Sequence, residues 1–146
     1  MRLQRCINDG RLTIIVEFRP SVFNGSENSK VAGVAPATDF SVTIQPTGTP
    51  KGITIWCTTS SCFTESSRRF SIASVRYFES ADEKLFGYNG PEFTDLSSVL
   101  RTHFDAWFLS IGLDEKLCDL IDDICARREH FEYQRWRQGI QKLTDR

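Results

Sequence analysis

A basic, aromatic stretch near the C terminus carries the clearest chemical potential in this 146-residue sequence. From residue 127 to residue 142, five basic side chains stand against two carboxylates, and three aromatic side chains are interleaved with them. Arginines contact phosphates and aromatic rings stack on bases, so this composition is compatible with RNA binding. The candidate RNA-contacting residues are Arg127, Arg128, Arg135 and Arg137. The alternative is a helix whose aromatic side chains pack inward while its arginines face water.

Motifs for catalysis do not occur in the sequence. It has no glycine-rich phosphate loop, no G-x-S-x-G elbow and no H-E-x-x-H pair. His103 and His130 belong to no recognisable serine or cysteine arrangement. The adjacent acidic residues Asp122 and Asp123 would point about 100° apart on a helix, so they do not form a carboxylate dyad. We therefore predict that the protein is not an enzyme and has no catalytic, cofactor-binding or metal-binding residues.

Two amphipathic helices must position the basic stretch. The first is predicted to begin after a cap at Asp95 and to end at Gly112. Its apolar residues recur at offsets of three and four, which is typical of a helix that packs on a core. They are Leu96, Val99, Leu100, Phe104, Trp107, Phe108 and Ile111. We expect this helix to be a major core element, with Trp107 in the middle of its buried stripe.

The second helix is predicted to begin after Asp114, and its apolar pattern changes along its length. Its first part continues the wide stripe, but its last part carries a narrower seam at spacings of three, four and three, like one strand of a coiled coil. The seam consists of Tyr133, Trp136, Ile140 and Leu143. Such a seam either packs on the protein's own sheet or contacts a partner helix, from this chain or another. We predict a partner-helix contact at these four residues.

The N-terminal half is patterned as β-strands. Asn8-Asp9-Gly10 between two apolar runs predicts a hairpin, and a second hairpin is predicted from residues 39–45 and 52–58. Residues 70–78 are the clearest strand, with Phe70, Ile72, Ser74, Arg76 and Phe78 expected on one face, and residues 85–87 are predicted as a short strand. Long loops are predicted over residues 19–38 and 59–67. Strands first and helices last indicate an α+β fold.

Composition fits one globular domain spanning residues 1–146. The chain has 18 Lys and Arg against 19 Asp and Glu, and a formal net charge of -1. No apolar run approaches the roughly 20 residues that span a bilayer. Neither a signal peptide nor a transit peptide is visible at the N terminus. The five cysteines include no C-x-x-C pair, which argues against a disulfide framework and a zinc site, although a bridge between Cys57 and Cys62 stays open as an alternative.

The order and spacing of these residues resemble the mitochondrial glycoprotein family, also called mitochondrial acidic matrix protein or receptor for globular heads of complement. The C-terminal likeness lies in Tyr88, Pro91, Phe93, Leu96, Leu100, Gly112, Leu113, Leu117, His130, Glu132, Tyr133 and Trp136. Upstream, residues 39–44 and 52–57 resemble the family's middle hairpin, and residues 70–78 resemble its last long strand. The likeness covers nearly the whole chain.

The resemblance implies both a fold and a role. Members form a doughnut-shaped homotrimer, and each subunit has a twisted antiparallel sheet of about seven strands flanked by terminal helices. They lie mainly in the mitochondrial matrix, have no established enzymatic reaction and are linked to mitochondrial translation, ribosome assembly and RNA metabolism. We therefore expect a scaffold or chaperone-like binding protein of the mitochondrial matrix. It would form a homotrimer, or a heterotrimer with paralogues, and bind mitochondrial ribosomal or RNA-processing proteins. The alternative is an RNA-binding accessory factor in mitochondrial RNA processing or editing.

The sequence departs from the family pattern in two ways. The family's N-terminal helix, which pairs with its last helix, is expected to be missing here because a strand-like segment follows Met1 almost at once. The family is also strongly acidic, whereas this chain is close to neutral. Functions that depend on a dense acidic surface are therefore not expected of this protein.

Overall fold

A computed structural model describes residues 1–19, 37–59 and 69–145. Its strands are β1 (Arg2–Ile7), β2 (Leu12–Phe18), β3 (Asp39–Pro46), β4 (Gly52–Thr59) and β5 (Phe70–Phe78). Its helices are α1 (Ala81–Phe86), a 3-10 turn (Phe93–Asp95), α2 (Ser98–Ser110) and α3 (Glu115–Thr144). This order confirms the predicted α+β class. The predicted long loops lie largely outside the described residues, as does Cys62.

The strands form one antiparallel sheet in the order β1-β2-β3-β4-β5. The predicted first hairpin is present, and its turn places Asn8, Asp9 and Gly10 at positive φ of 54°, 54° and 81°. These are residue types that tolerate the left-handed region, which explains why the turn forms there. The family resemblance implies about seven strands, and the described residues contain five. The predicted short strand at residues 85–87 is wrong, because Leu85 and Phe86 end the helix α1.

The core lies between one face of the sheet and the helices α2 and α3. Strand register places Val16, Val42 and Ile55 in one cross-strand row, and Val42 and Ile55 have no exposed surface. From the sheet, the buried cluster takes Ile14, Val16, Phe18, Phe40, Val42, Ile44, Ile55, Cys57, Phe70 and Ile72. From the helical part it takes Phe93, Phe108, Ile111, Leu113, Cys118 and Ile121.

A β-bulge divides the side chains of β5 between the two faces of the sheet. Cys57 pairs with Ile72 whereas Trp56 pairs with Ser74, so Ala73 is an extra residue on β5. Phe70 and Ile72 therefore face the helices, while Ser74, Arg76 and Phe78 lie on the opposite face. The prediction that all five residues share one face is wrong, because strict alternation does not allow for the inserted residue.

The start of α2 differs from the prediction, whereas the turn between α2 and α3 agrees with it. The cap of α2 is Ser97, whose hydroxyl accepts from the Leu100 N–H at 3.3 Å, and Asp95 lies in the 3-10 turn instead. Gly112 has φ of 90° and ends α2 as expected. Asp114 caps α3, with its carboxylate accepting from the Leu117 N–H at 3.2 Å.

The buried face of α2 is narrower than its apolar stripe. Phe108 is 1% exposed and Ile111 is 8% exposed, but Trp107 is 38% exposed and Val99 is 66% exposed. The expectation that Trp107 lies in the middle of the buried face is therefore wrong. The sheet covers the side of α2 centred near Phe108 and Phe104, so Trp107 lies at the margin of the contact.

Candidate partner-binding surface

The first half of α3 is fixed to the sheet. Cys118 and Ile121 have no exposed surface. Arg69, which directly precedes β5, forms ion pairs with Asp119 and Asp122, the second with an Nη2–Oδ2 distance of 3.0 Å. These contacts set the direction in which the rest of the helix leaves the core.

The second half of α3 extends beyond the sheet. A helix of 30 residues is about 45 Å long. The longest strand, with nine residues, spans only about 30 Å. No described residue after Ile121 is buried, and Cys125 is the last one to pack against the core cluster. The helix therefore projects about five turns past its last core contact.

The C-terminal seam (Tyr133, Trp136, Ile140 and Leu143) is exposed in this chain. Tyr133 is 52% exposed, Trp136 60%, Ile140 43% and Leu143 70%. The rings of Tyr133 and Trp136 stack on each other, with centroids 6.0 Å apart and planes 29° apart. Within the described residues, the seam is covered by neither the sheet nor another helix.

The seam continues the core-facing side of α3. Trp136 follows Cys118 by 18 residues, and Leu143 follows Cys125 by the same interval. Because 18 residues make about five whole helical turns, each pair lies on the same side of the helix. The side that packs on the sheet in the first half therefore becomes an open apolar surface in the second. Exposed contiguous apolar surface of this kind marks an interaction site in globular proteins.

The four candidate RNA-contacting arginines do not form a single patch. Arg127 pairs with Asp123 at 2.7 Å and Arg128 pairs with Glu132 at 2.6 Å, both at the i, i+4 spacing. Arg127, Arg128 and Arg135 fall within an arc of about 100° on the side of α3 away from the seam, whereas Arg137 lies beside the seam. Arg135 and Arg137 have no ion pair among the described residues.

An exposed apolar patch near α1 has no counterpart in the sequence analysis. Leu85, Phe86 and Tyr88 are 67%, 86% and 80% exposed. The predicted strand at residues 85–87 did not indicate this patch, because a short apolar run does not distinguish an edge strand from the end of a helix.

The described residues contain no group of three or more side chains that could hold a metal ion. Burial raises the pKa of the Cys118 thiol to about 11, and burial also raises the pKa of Cys125. Thiols in this state are poor nucleophiles at neutral pH. In the part of the chain that the structure describes, no helix has the length and apolar character needed to cross a bilayer.

Comparison with known proteins gives one family and two related folds. The family model described as mitochondrial glycoprotein matches residues 22–144. A search of curated proteins found no match. One similar structure is a Leishmania major protein described as hypothetical, of unknown function and a sequence homologue of the human p32 protein. It superposes with a TM-score of 0.73 at 14% identity, and the match covers 97% of this chain and 74% of that chain. The Trypanosoma brucei p22 protein superposes with a TM-score of 0.66 at 17% identity, with the same coverage. At these identities the structural likeness shows the fold alone.

Proposed function

The chain belongs to the mitochondrial glycoprotein family, and on that premise we propose that it is a non-catalytic scaffold of the mitochondrial matrix that binds a helix of another polypeptide along its C-terminal seam. Family membership supports a mitochondrial-type binding protein. The finer proposal is that this binding serves mitochondrial translation or ribosome assembly.

The observation that carries the proposal is the exposure of four large apolar side chains on a helix whose base is fixed by the core. Partner interfaces are dominated by a few aromatic anchors, and Tyr133 and Trp136 are already stacked on each other in this chain. The apolar spacing of three and four residues suits a second amphipathic helix packing side by side with α3. The occupant is therefore an amphipathic helix with its own apolar stripe.

We further propose that the subunits assemble as a trimer, either of identical chains or with paralogues. The family resemblance supports this, and so does the amount of apolar surface that one chain leaves exposed on α1, α2 and α3. Light scattering on the purified protein should give about three times the subunit mass of 16.7 kDa, or a larger assembly with other subunits. A stable monomer at micromolar concentration would contradict the trimer.

The seam is tested by two matched variants on the same helix. Trp136 is 60% exposed and lies in the seam, while Phe131 is 59% exposed and lies on the opposite side of α3. We expect Trp136→Ala to weaken the affinity between the subunits, or the affinity for the partner helix, at least tenfold. We expect Phe131→Ala to leave that affinity unchanged. Hydrogen exchange of residues 126–144, measured in the isolated chain and in the native assembly, reports whether the seam is covered. Equal exchange in both states, or equal effects of the two variants, would contradict the proposed contact.

A second candidate function is RNA binding in mitochondrial RNA processing or editing. The observation that favours it is the exposed Phe131 flanked by arginines, of which Arg135 has no ion pair among the described residues. If this side of α3 contacts phosphates, RNA affinity should fall steeply with salt, and Arg135→Gln should reduce the salt slope by about one unit. Arg127→Gln is the control, because Arg127 is already paired with Asp123. RNA affinity that is absent or insensitive to salt would remove this candidate.

A further inference from the structure

The face of the sheet opposite α2 and α3 contains an open cavity of about 1160 Å³. Its floor includes a cross-strand row in which Ser74, Trp56, Ser41 and Glu17 lie on four adjacent strands. Arg76 also lines it, because the β-bulge places this side chain on the same face as Trp56. Cavities of this size accommodate drug-sized ligands rather than single ions.

Arg76 is the unusual residue of this cavity. Only 7% of its surface is exposed, so it is a buried cation. Its Nη1 donates to the Lys84 carbonyl oxygen at 2.8 Å, and its guanidinium carbon lies 4.8 Å from the centroid of the Trp56 ring. Its Nε–H is buried without a hydrogen-bond partner. Among the described residues, no carboxylate forms an ion pair with Arg76.

A purely structural role leaves much of this guanidinium unexplained. The Lys84 carbonyl engages one of five N–H donors, and it supplies a partial charge, not an anion. Buried arginines are normally paired with anions, because an unpaired buried cation and an unpaired N–H both cost free energy. Stacking on Trp56 holds the guanidinium plane in place, which suits it to a fixed, bidentate contact with an oxyanion.

The acidic side chains of the cavity lie away from Arg76. Arg76 is opposite Thr54 on β4, whereas Asp39 is opposite Thr58, four residues further along the same strand. This offset corresponds to about 13 Å. Asp39 also accepts a hydrogen bond from the Thr58 hydroxyl at 2.7 Å. Glu17, the other carboxylate of the lining, lies in the same cross-strand row as Ser74 but three strands away, which corresponds to about 14 Å. Neither carboxylate of the lining is therefore a neighbour of Arg76 across the strands.

We propose that this cavity binds a small organic phosphate, with the phosphate group against the guanidinium of Arg76. Two parallel N–H donors of arginine match two phosphate oxygens, and the hydroxyl of Ser74 is available for a further oxygen on the same floor. The rest of the cavity takes the organic part of the ligand. This site lies on the opposite face of the sheet from α3, so it does not depend on the seam or on its partner.

The indole N–H groups of the three tryptophans give a direct readout by NMR. Titration of the full-length protein with inorganic phosphate should shift the Trp56 indole resonance in a saturable way. The resonances of Trp107 and Trp136, which lie on the helices, should not move. Assignment follows from Trp56→Phe, which removes one of the three peaks.

Variants then test the role of Arg76. Arg76→Gln should weaken phosphate binding at least tenfold. Arg76→Lys keeps the positive charge but lacks the two parallel N–H donors of the guanidinium group, so it should give an intermediate affinity. Arg11→Gln removes the same charge from an exposed side chain in the hairpin turn before β2, outside the cavity lining, and should change the affinity less than twofold. Three results would each overturn the proposal: no saturable shift in the unmodified protein, wild-type affinity in folded Arg76→Gln, or equal loss in Arg11→Gln. If Arg76→Gln does not fold, Arg76→Lys serves as the test instead. Wild-type affinity in Arg76→Lys would overturn the proposed bidentate contact between Arg76 and phosphate.

Discussion

Adjacent residues on α2 allow a sharp test of which side of this helix supports the fold. Phe108 is 1% exposed, and its ring lies 5.5 Å from the ring of Phe104 and 5.5 Å from that of Trp107. Phe108→Ala removes a fully buried aromatic ring and leaves a cavity, at a cost of about 3–5 kcal/mol of unfolding free energy. Trp107 is 38% exposed, so Trp107→Ala loses only part of its burial and opens toward solvent. We expect about 1–2 kcal/mol for that change.

The two costs are measured by urea denaturation of each variant at one protein concentration, followed by far-ultraviolet circular dichroism, because tryptophan fluorescence changes with Trp107→Ala itself. In thermal unfolding followed by the same signal, the melting temperature should fall by about 10–15 °C for Phe108→Ala and about 3–7 °C for Trp107→Ala. Leu109→Ala, at a residue that is 55% exposed, is the control and should cost less than about 0.5 kcal/mol. A loss for Trp107→Ala that equals or exceeds that for Phe108→Ala would refute this account of α2.

Three further predictions concern glycines and a buried thiol. Gly139→Ala should stabilise the protein by up to about 1 kcal/mol in thermal unfolding, because an added Cβ meets open space in the interior of α3; a loss of stability would show that something lies against this position. Gly90→Ala should lower the melting temperature, because an added Cβ would lie 2.2 Å from the Val75 carbonyl oxygen and φ is 77°; an unchanged melting temperature would contradict this close approach. Cys118, whose burial raises its pKa to about 11, should be alkylated by iodoacetamide far more slowly than exposed Cys6 at neutral pH, and its rate should rise until about pH 11. In the unfolded chain this thiol ionises near its ordinary pKa of 9.0. Between pH 9.0 and about 11 the unfolded state therefore binds fewer protons at Cys118 than the folded state does, and the free energy of unfolding decreases as pH rises through that window.

Local chemistry was sufficient to predict the ends of several elements. Asn8, Asp9 and Gly10 tolerate positive φ, so the sequence itself selects the first hairpin turn. Gly112 and Asp114 likewise end one helix and begin the next through their own backbone and side-chain preferences. The cap of α2 was misplaced because Asp95 and Ser97 are both good caps, and the choice between them depends on the 3-10 turn that precedes the helix.

Tertiary packing determined two features that the apolar pattern of the sequence does not specify. The apolar stripe of α2 specifies which residues share a side of the helix, but the width of the covered face depends on the sheet beneath it, which left Trp107 at the margin. The bulge at Ala73 could not be predicted either, since Ala73 and Ser74 are small enough to lie on either face of a strand. Consequently, the sequence predicted the seam on α3, whose residues are periodic on one helix, but not the cavity at Arg76, which requires four strands in register.

Net charge would have pointed away from both proposed sites, since the chain carries a formal charge of only -1. The recognition that we propose is instead local. On α3 it depends on the continuation of a core-facing side beyond the sheet, where Trp136 repeats the helical position of buried Cys118. On the sheet it depends on the bulge, without which Arg76 would turn toward the helices and place an unpaired cation in the apolar core. The same inserted residue that keeps the core apolar thus places a buried guanidinium on the free face.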